Sequence, residues 1–360
     1  MKAPVRLAPP DSDAFPGAPH PRETTKLFGH AAQEQALLDA WRAGRLPQSV
    51  ILGGPEGIGK ATLAWRLARF IFAYPDPADP RVREATDLSV PPDHPVVSRV
   101  ASMAQPDVAV LRREWNDKAR PPRHFTEIRV DDVRKALGLF QLSSGAGGWR
   151  VCVIDCAEDL NRNSANALLK MIEEPPPRSL FLIVAHKPAR VLPTIRSRSR
   201  MVLLQALSDG DVARAVASLG GDWAELSGPI AMASKRARGS VRQALRLLDS
   251  DRLALAERLD RILGGLPGVD WIGVHALAEA VSKPAAVDEF EALCAGIFDW
   301  LADSARARAE QGAARLAPLA LVWEKLADAV RETEALNLDK RALVLTMFAD
   351  LSAATRDARR

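Results

Sequence analysis

"QSVILGGPEGIGKATLAWRLARFIF", residues 48–72, decides how the rest of the chain is read. A short apolar run enters a glycine-rich turn, and beyond it apolar residues recur at helical spacing. Gly54, Gly59 and Lys60 fit the phosphate-loop pattern G-x-x-x-x-G-K, with Gly57 inside it. Glycines let backbone N–H groups curl around phosphates, the following helix N-terminus adds positive dipole, and Lys60 supplies a charge for the outer oxygens. The plainer alternative is a strand-to-helix turn with an exposed lysine, and the strand–loop–helix context favours the phosphate loop. One position departs from the pattern. Ala61 stands where a Ser or Thr hydroxyl ligates Mg²⁺, and Thr62 comes one residue late. One residue turns a helix by about 100°, so Thr62 is no simple substitute.

A second stretch repeats this mixture of presence and loss. In "VCVIDC" (151–156) four mostly apolar residues lead to Asp155, where a buried strand of a P-loop NTPase presents its magnesium-directed carboxylate. Cys156 follows, where many such ATPases carry a glutamate that activates water. Both departures predict a site whose own hydrolysis is lost, with ATP binding still allowed and Mg²⁺ binding in question.

Around these motifs the chain predicts an α/β domain with a five-stranded parallel sheet. Strand candidates are 48–54, 106–114, 149–157, 179–186 and 200–207, each apolar on both faces, as in a sheet covered on both sides. The proline-rich segment 75–105 reads as an inserted surface loop. Residues 1–22 read as a flexible proline-rich arm without the apolar core of a signal peptide. The α/β domain therefore spans 23–206. Helical patterns follow, capped at Ser208 and Ser240, giving a small helical lid over 207–253 and a larger helical bundle over 254–360. Trp300 and Trp323 fall in those helical patterns and read as core.

With 360 residues and 47% apolar composition, the chain is long enough for two or three cores. A net charge of +4 is too mild to argue for nucleic-acid binding by itself. No stretch has the length of a membrane helix, so no membrane partner is expected. Three cysteines at 152, 156 and 294 suit a reducing cytoplasm and have no zinc-ligand spacing. Cys152 and Cys156 read as buried thiols.

The stretches "LFGHAAQEQALLDAWRAGRLPQSVILGGPEGIGKATLA" (27–64), "DLNRNSANALLKMIEEPPP" (159–177) and "LPTIRSRSR" (192–200) together resemble the clamp-loader branch of the AAA+ ATPases. The resemblance covers about residues 22–250. It implies a subunit of a hetero-pentamer, with motor and delta subunits as partners and the sliding clamp and primer-template DNA met through the complex. It assigns Asp155 to the Walker B carboxylate and Cys156 to the slot of the catalytic glutamate. Arg198 becomes an arginine finger acting in trans on a neighbour's ATP, with Ser199 in place of the motif's cysteine. Arg242 in "GSVRQAL" becomes the nucleotide-sensing arginine of the lid, and the polar sensor after the fourth strand falls near Ala185 and His186. Many subunits of this family carry a four-cysteine zinc module between the two nucleotide motifs. This chain has no cysteine between Lys60 and Arg150, so no zinc is expected.

The residues add their own hints. Glu173 and Glu174 close a predicted helix at its negative dipole end before three prolines, which local rules disfavour and a subunit contact explains. Arg196, Arg198 and Arg200 share a face if that segment is extended, which also suits a solvated basic edge or a DNA contact. An active motor subunit of the same loader, a free-standing P-loop kinase or nucleotidyl transferase, and a plain nucleic-acid-binding protein are the alternatives. The first is expected to carry Ser or Thr at 61 and Glu at 156.

Overall fold

Each long strand divides its side chains between two cores, which explains why the strand segments are apolar throughout. Strands β1 (Ser49–Gly53), β2 (Val108–Leu111), β3 (Trp115–Asn116), β4 (Arg123–His124), β5 (Arg150–Asp155), β6 (Ser179–Ala185) and β7 (Arg200–Leu203) are found in this computed structural model. It describes residues 11–141, 148–220, 223, 227–248, 250–283, 286–308 and 313–358. Five of the strands form a parallel sheet in the order β2–β5–β6–β1–β7, and β3 and β4 make a short antiparallel hairpin. All five expected strands are present. Val50, Leu52, Val151, Val153, Leu180 and Leu182 face one core. Their neighbours Ile51, Cys152, Ile154, Phe181 and Ile183 face the other, as the two-residue strand period requires.

The chain winds around this sheet as α1 (Ala31–Arg42), α2 (Lys60–Ala73), α3 (Pro80–Glu84), α4 (Pro95–Ala101), α5 (Val130–Gln141), α6 (Arg162–Glu173), α7 (Pro193–Arg196), α8 (Asp209–Ala217), α9 (Ser227–Arg236) and α10 (Val241–Leu247). The first core is covered by α1 and α2 through Leu37, Trp41, Leu63 and Phe70. The second is covered by α5 and α6 through Val133, Leu137, Leu168 and Ile172. Ser208 and Ser240 are N-terminal caps, accepting from the amides of Asp211 and Gln243.

Two expectations about irregular segments are corrected. Segment 75–105 is not a surface loop, because it contains α3 and α4 and buries Val82, Leu88, Val96 and Val100 in the first core. A buried Glu34–Arg66 pair, with 2.8 Å from Arg66 Nε, helps fix it, since Glu34 also accepts from the Leu88 amide. The N-terminal arm is not loose either. From Asp11 onward it is laid on the α/β unit with His20 buried, held by ion pairs that composition alone did not reveal. The first ten residues of that expected arm lie outside the described residues.

The chain separates into two compact units that meet in sequence between Leu245 and Arg246. Of the lid expected over 207–253, residues 207–245 belong to the first unit with the sheet and 246–253 to the second. The second unit contains α11 (Ser250–Gly264), α12 (Trp271–Val281), α13 (Val287–Arg308), α14 (Ala313–Leu336) and α15 (Lys340–Asp357) around a core that includes Leu277, Phe290, Ile297, Met347 and Phe348. Trp300 packs against that core in part. Trp323 is 38% exposed and leans on Phe298, so it is not the core residue that its helical spacing predicts. All three cysteines are free and buried, and burial pushes the Cys152 thiol up to about 12. Among the described residues no helix is long and apolar enough to cross a membrane.

Candidate nucleotide site and the arginine edge

Parallel strands deliver their carboxyl ends to one edge, and in open α/β sheets ligands bind there. Here the loop after β1 carries Lys60, the end of β5 carries Asp155, and β6 between them ends at Ala185 and His186. A cavity of about 380 Å³ opens at this edge. Lys60, Ala61, Thr62, Asp155, Cys156 and Arg242 all line it, together with Gly57 and Gly59. The structure thus brings together every nucleotide-site residue expected from the sequence except Gly54, which shapes the loop from behind.

Glycine is required at two of these places. Gly54 has φ +146°, and a Cβ there meets the Leu204 carbonyl oxygen at 2.3 Å. Gly57 has φ +76°, and a Cβ added there would collide with Ser240 Oγ and come within 2.6 Å of Arg242 Cβ. That close approach is how α10 docks on the phosphate loop, sealed by a 2.8 Å hydrogen bond from the Val241 amide to the Gly57 carbonyl. It sets Arg242 at the cavity wall, where its Nε pairs with Glu56 at 3.1 Å.

The electrostatics are those of a crowded, buried site. Lys60 is 2% exposed and its ammonium donates to the carbonyls of Gly54, at 2.7 Å, and Pro55. Burial lowers its pKa to about 8, against the opposing pull of Asp155. Asp155 is pushed up to about 7, first by burial and then by the charge of Asp13. Burial also raises the Cys156 thiol, which donates to Glu158 Oε2 at 2.6 Å. The thiol therefore carries no charge at neutral pH. Ala185 is fully buried, whereas His186 lines the cavity, its pKa lowered by burial and by Lys60. His186 Nδ1 is buried and has no hydrogen-bond partner among the described residues.

Arg198 stands elsewhere. The register pairs Val50 with Arg200, and Ser199 Oγ meets Ser49 Oγ at 2.7 Å, so Arg198 lies at the amino edge of the sheet. The five residues of β1 separate that edge from the phosphate loop, roughly 15 Å of strand. Its guanidinium Nε pairs with Glu173 Oε1 at 2.8 Å, both side chains being more than two-fifths exposed. Glu173, singled out by its place at a helix end, and Arg198, singled out by motif, are thus partners. Ser199 also donates to the Ile195 carbonyl at 2.8 Å and fixes the turn beneath Arg198. The segment before β7 is not extended: α7 runs through Arg196 and Ser197 keeps a helical backbone. The expectation that Arg196, Arg198 and Arg200 share one strand face fails for that reason, although all three are exposed.

Two contributors to the cavity escaped the sequence reading. Arg113 lines it two residues past β2 and pairs with Asp159 at 3.0 Å. A cation just beyond a strand that ends at the Asp155 edge was a legible signal. The arm residues Ser12, Asp13, Phe15, Ala18, Pro19 and Pro21 also line it, and nothing in their spacing announced this. Asp11, Asp13 and His20 converge within 4.8 Å of one another, as metal ligands do. Arg22 and Arg112 already pair with those carboxylates, so the cluster is satisfied by the protein's own cations.

With this geometry in place, the comparisons with known proteins are specific. The family model described as DNA polymerase III, delta subunit, matches residues 29–208, half of the 360. The chain belongs to this family. It is 35% identical over 148 residues to the DNA polymerase III subunit delta' of Pseudomonas aeruginosa, covering 41% of this chain and 40% of that protein. Against the subunit delta' of Escherichia coli it is 25% identical over 252 residues, 70% of each chain. Against the tau/gamma subunit of Haemophilus influenzae it is 33% identical over 240 residues, 66% of this chain and 32% of that one. The chain therefore spans less than half the length of the Pseudomonas relative. Two of these relatives are named delta' and one tau/gamma. A solved gamma-subunit-related protein of DNA polymerase III from Thermotoga maritima superposes with a TM-score of 0.41 at 16% identity, covering 90% of this chain and all of that one.

Proposed function

We propose that this chain is a delta-prime-type clamp-loader subunit of the DNA polymerase III holoenzyme, assisting ATP-driven loading of a sliding clamp onto primed DNA in the cytoplasm. In this reading Arg198 acts in trans on ATP held by a neighbouring motor subunit, and the chain's own site does not hydrolyse. One observation carries the reading: Arg198 lies at the edge of the sheet opposite its own phosphate loop. A guanidinium presented there, exposed and held by an exposed carboxylate, the Thr194 carbonyl and Ser197 Oγ, is turned away from its own pocket and suits a site outside its own subunit.

The pocket supports the other half of the proposal. Its glycine loop, buried lysine, Arg242 and apolar wall of Leu27, Phe28 and Leu245 fit a nucleotide's phosphates and base. They do not supply a metal site of the usual kind, since Ala61 has no hydroxyl to stand beside Asp155 as a ligand. Cys156, tied to Glu158, has no means of deprotonating water. Partners in this reading are the motor and delta subunits of a hetero-pentamer, with the helices of the second unit as the collar. Clamp and primer-template DNA are met through the assembled complex.

The test uses the full chain reconstituted with motor and delta subunits. Arg198→Ala should leave assembly intact and lower the DNA- and clamp-stimulated ATPase, while Lys60→Ala should change it little. The reverse pattern, a crippling Lys60→Ala and a neutral Arg198→Ala, overturns the reading in favour of an active motor subunit. ATP turnover by the isolated chain that disappears in Lys60→Ala does the same.

A further inference from the structure

A bound polyphosphate needs cations, and two of those that line this pocket, Lys60 and Arg242, are already engaged from within the chain. Lys60 is turned onto the carbonyls of its own loop. Arg242 donates from its two terminal nitrogens to the carbonyls of Asp13 and Ala14, at 3.4 Å each, and stands 5.8 Å from the centre of the Phe15 ring. The arm thus meets the side of the lid arginine that faces the cavity.

The arm's own anchors explain how it stays there. Asp13 is 5% exposed at its side chain and is held by His20, at 2.9 Å, and by Arg112, at 3.2 Å. Asp11 pairs with Arg22 at 2.7 Å and also with Arg112. Trp223 Nε1 donates to the Gly17 carbonyl at 3.0 Å. The groups that hold the arm, His20, Arg22, Arg112 and Trp223, are polar and do not line the cavity, whereas the contacts with Arg242 are long and weak. An arm built this way lifts from Arg242 more readily than it leaves the protein. The charge of Asp13 also acts on Asp155 across the site, which a carboxylate remote from the phosphate position does not do.

We propose that Asp11–Pro21 is an internal gate of the nucleotide pocket, which occupies Arg242 and sets a carboxylate against incoming phosphates, so that a nucleoside di- or triphosphate binds only by displacing it. The gate rests on the loop being a phosphate site and is independent of assembly into a loader. It gives the degraded site a second safeguard: nucleotide is kept off a subunit that has no use for it.

The test is a fluorescence titration of the full, isolated chain with N-methylanthraniloyl-ADP. Asp13→Ala and Phe15→Ala, made separately, should each tighten binding by about three- to tenfold, the scale of one modest polar or cation–π contact. Unchanged or weaker binding in both variants overturns the gate, as does no detectable binding in either. Phe15→Ala leaves the Asp13–His20–Arg112 anchors in place, so it reports on the gate even where Asp13→Ala disturbs folding. Adding Lys60→Ala to Asp13→Ala should abolish the gain; a gain that persists places the probe elsewhere and overturns the proposal. Hydrogen exchange supplies a second readout. ADP should speed exchange over residues 13–19, and slowed exchange overturns the gate by making the arm a lid that closes on its ligand. None of these readouts involves ATP turnover or partner subunits, so they fail or succeed apart from the clamp-loader reading.

Discussion

Lys60 and Arg198 are cations attached to the two ends of one strand pair, and the protein treats them oppositely. Lys60 follows the carboxyl end of β1, is 2% exposed, and donates to backbone carbonyls of its own loop. Arg198 lies by the amino end of β1 and β7, has a side chain 42% exposed, and is held by exposed partners: Glu173, the Thr194 carbonyl and Ser197 Oγ. Burial withdraws the first from chemistry and lowers its pKa to about 8, whereas exposure leaves the second free to change partners at little cost. The comparison teaches where to look for function in a subunit with a decayed site. In the proposed reading, chemistry is directed outward through Arg198, and the inward site is kept as a folded scaffold.

The sharpest way to break this comparison is at Arg198. Arginine fingers supplied in trans are worth about 10³–10⁵ in rate at the site they serve, because they meet charge developing on the transferring phosphoryl group. Arg198→Ala should remove that factor at one junction, and the assembled complex should show a partial loss because other junctions keep their own cations. Arg198→Lys should recover little of it, since an ammonium has no planar fork. A lysine variant with near wild-type ATPase would reduce Arg198 to a generic charge.

Next in size is a test of the inward site as scaffold. Gly57→Ala forces φ +76° on a side chain whose Cβ lies 2.3 Å from Ser240 Oγ and 2.6 Å from Arg242 Cβ. The strain and the clash together should cost about 1–3 kcal/mol in the urea unfolding of the first unit. Gly44→Ala is the control, since Gly44 also has positive φ, at +63°, but open space around its Cβ. It should cost the conformational term alone. Equal losses in the two variants would show that docking of α10 on the loop contributes nothing to stability.

A pH series probes the same site through its charges. Lys60 titrates at about 8, displaced downward mainly by burial, and Asp155 at about 7, displaced upward mainly by burial. Raising the pH from about 6.5 to about 8.5 therefore removes roughly three-quarters of a positive charge and adds roughly three-quarters of a negative one. Both changes oppose a polyphosphate, so affinity for N-methylanthraniloyl-ADP should fall by on the order of tenfold across that window. Affinity that rises with pH would show that neither group faces the phosphates.

What the sequence disclosed and what it hid divide along physical lines. Contiguous motifs were legible: the glycine loop, Asp155 and the five strands depend on local spacing and on burial of continuous apolar runs. Ser208 and Ser240 were legible as caps because capping is a short-range hydrogen bond. The arm was not, since Asp13 meets Arg112, and Phe15 meets Arg242, across separations that no periodicity encodes. Segment 75–105 was misjudged because its prolines read as breakers, whereas Pro80 and Pro95 sit at the first helical position, where a missing N–H costs nothing. Arg196 to Arg200 were misjudged because a short helical turn and an extended entry to a strand look alike over so few residues.

The smallest expected effect lies in the ion pair that joins the two residues first noticed separately. Glu173 and Arg198 meet at 2.8 Å with side chains 45% and 42% exposed. Exposed pairs of this kind contribute about 0.2–1 kcal/mol, because solvent screens the attraction and holding two long side chains costs entropy. Glu173→Gln should therefore shift the stability of the first unit by less than about 1 kcal/mol, and should change the ATPase of the assembled complex by no more than about threefold. The prediction separates two uses of Glu173. If it merely occupies Arg198 until a neighbour's nucleotide takes over, losing its charge leaves turnover nearly intact. If it aims the guanidinium, Glu173→Gln should reproduce much of the Arg198→Ala loss with the complex still assembled. The exposure of both partners argues for the first, since a side chain that aims another is normally fixed by packing on more than one side. A loss approaching that of Arg198→Ala would make Glu173 a positioning residue and Arg198 less free than its exposure implies.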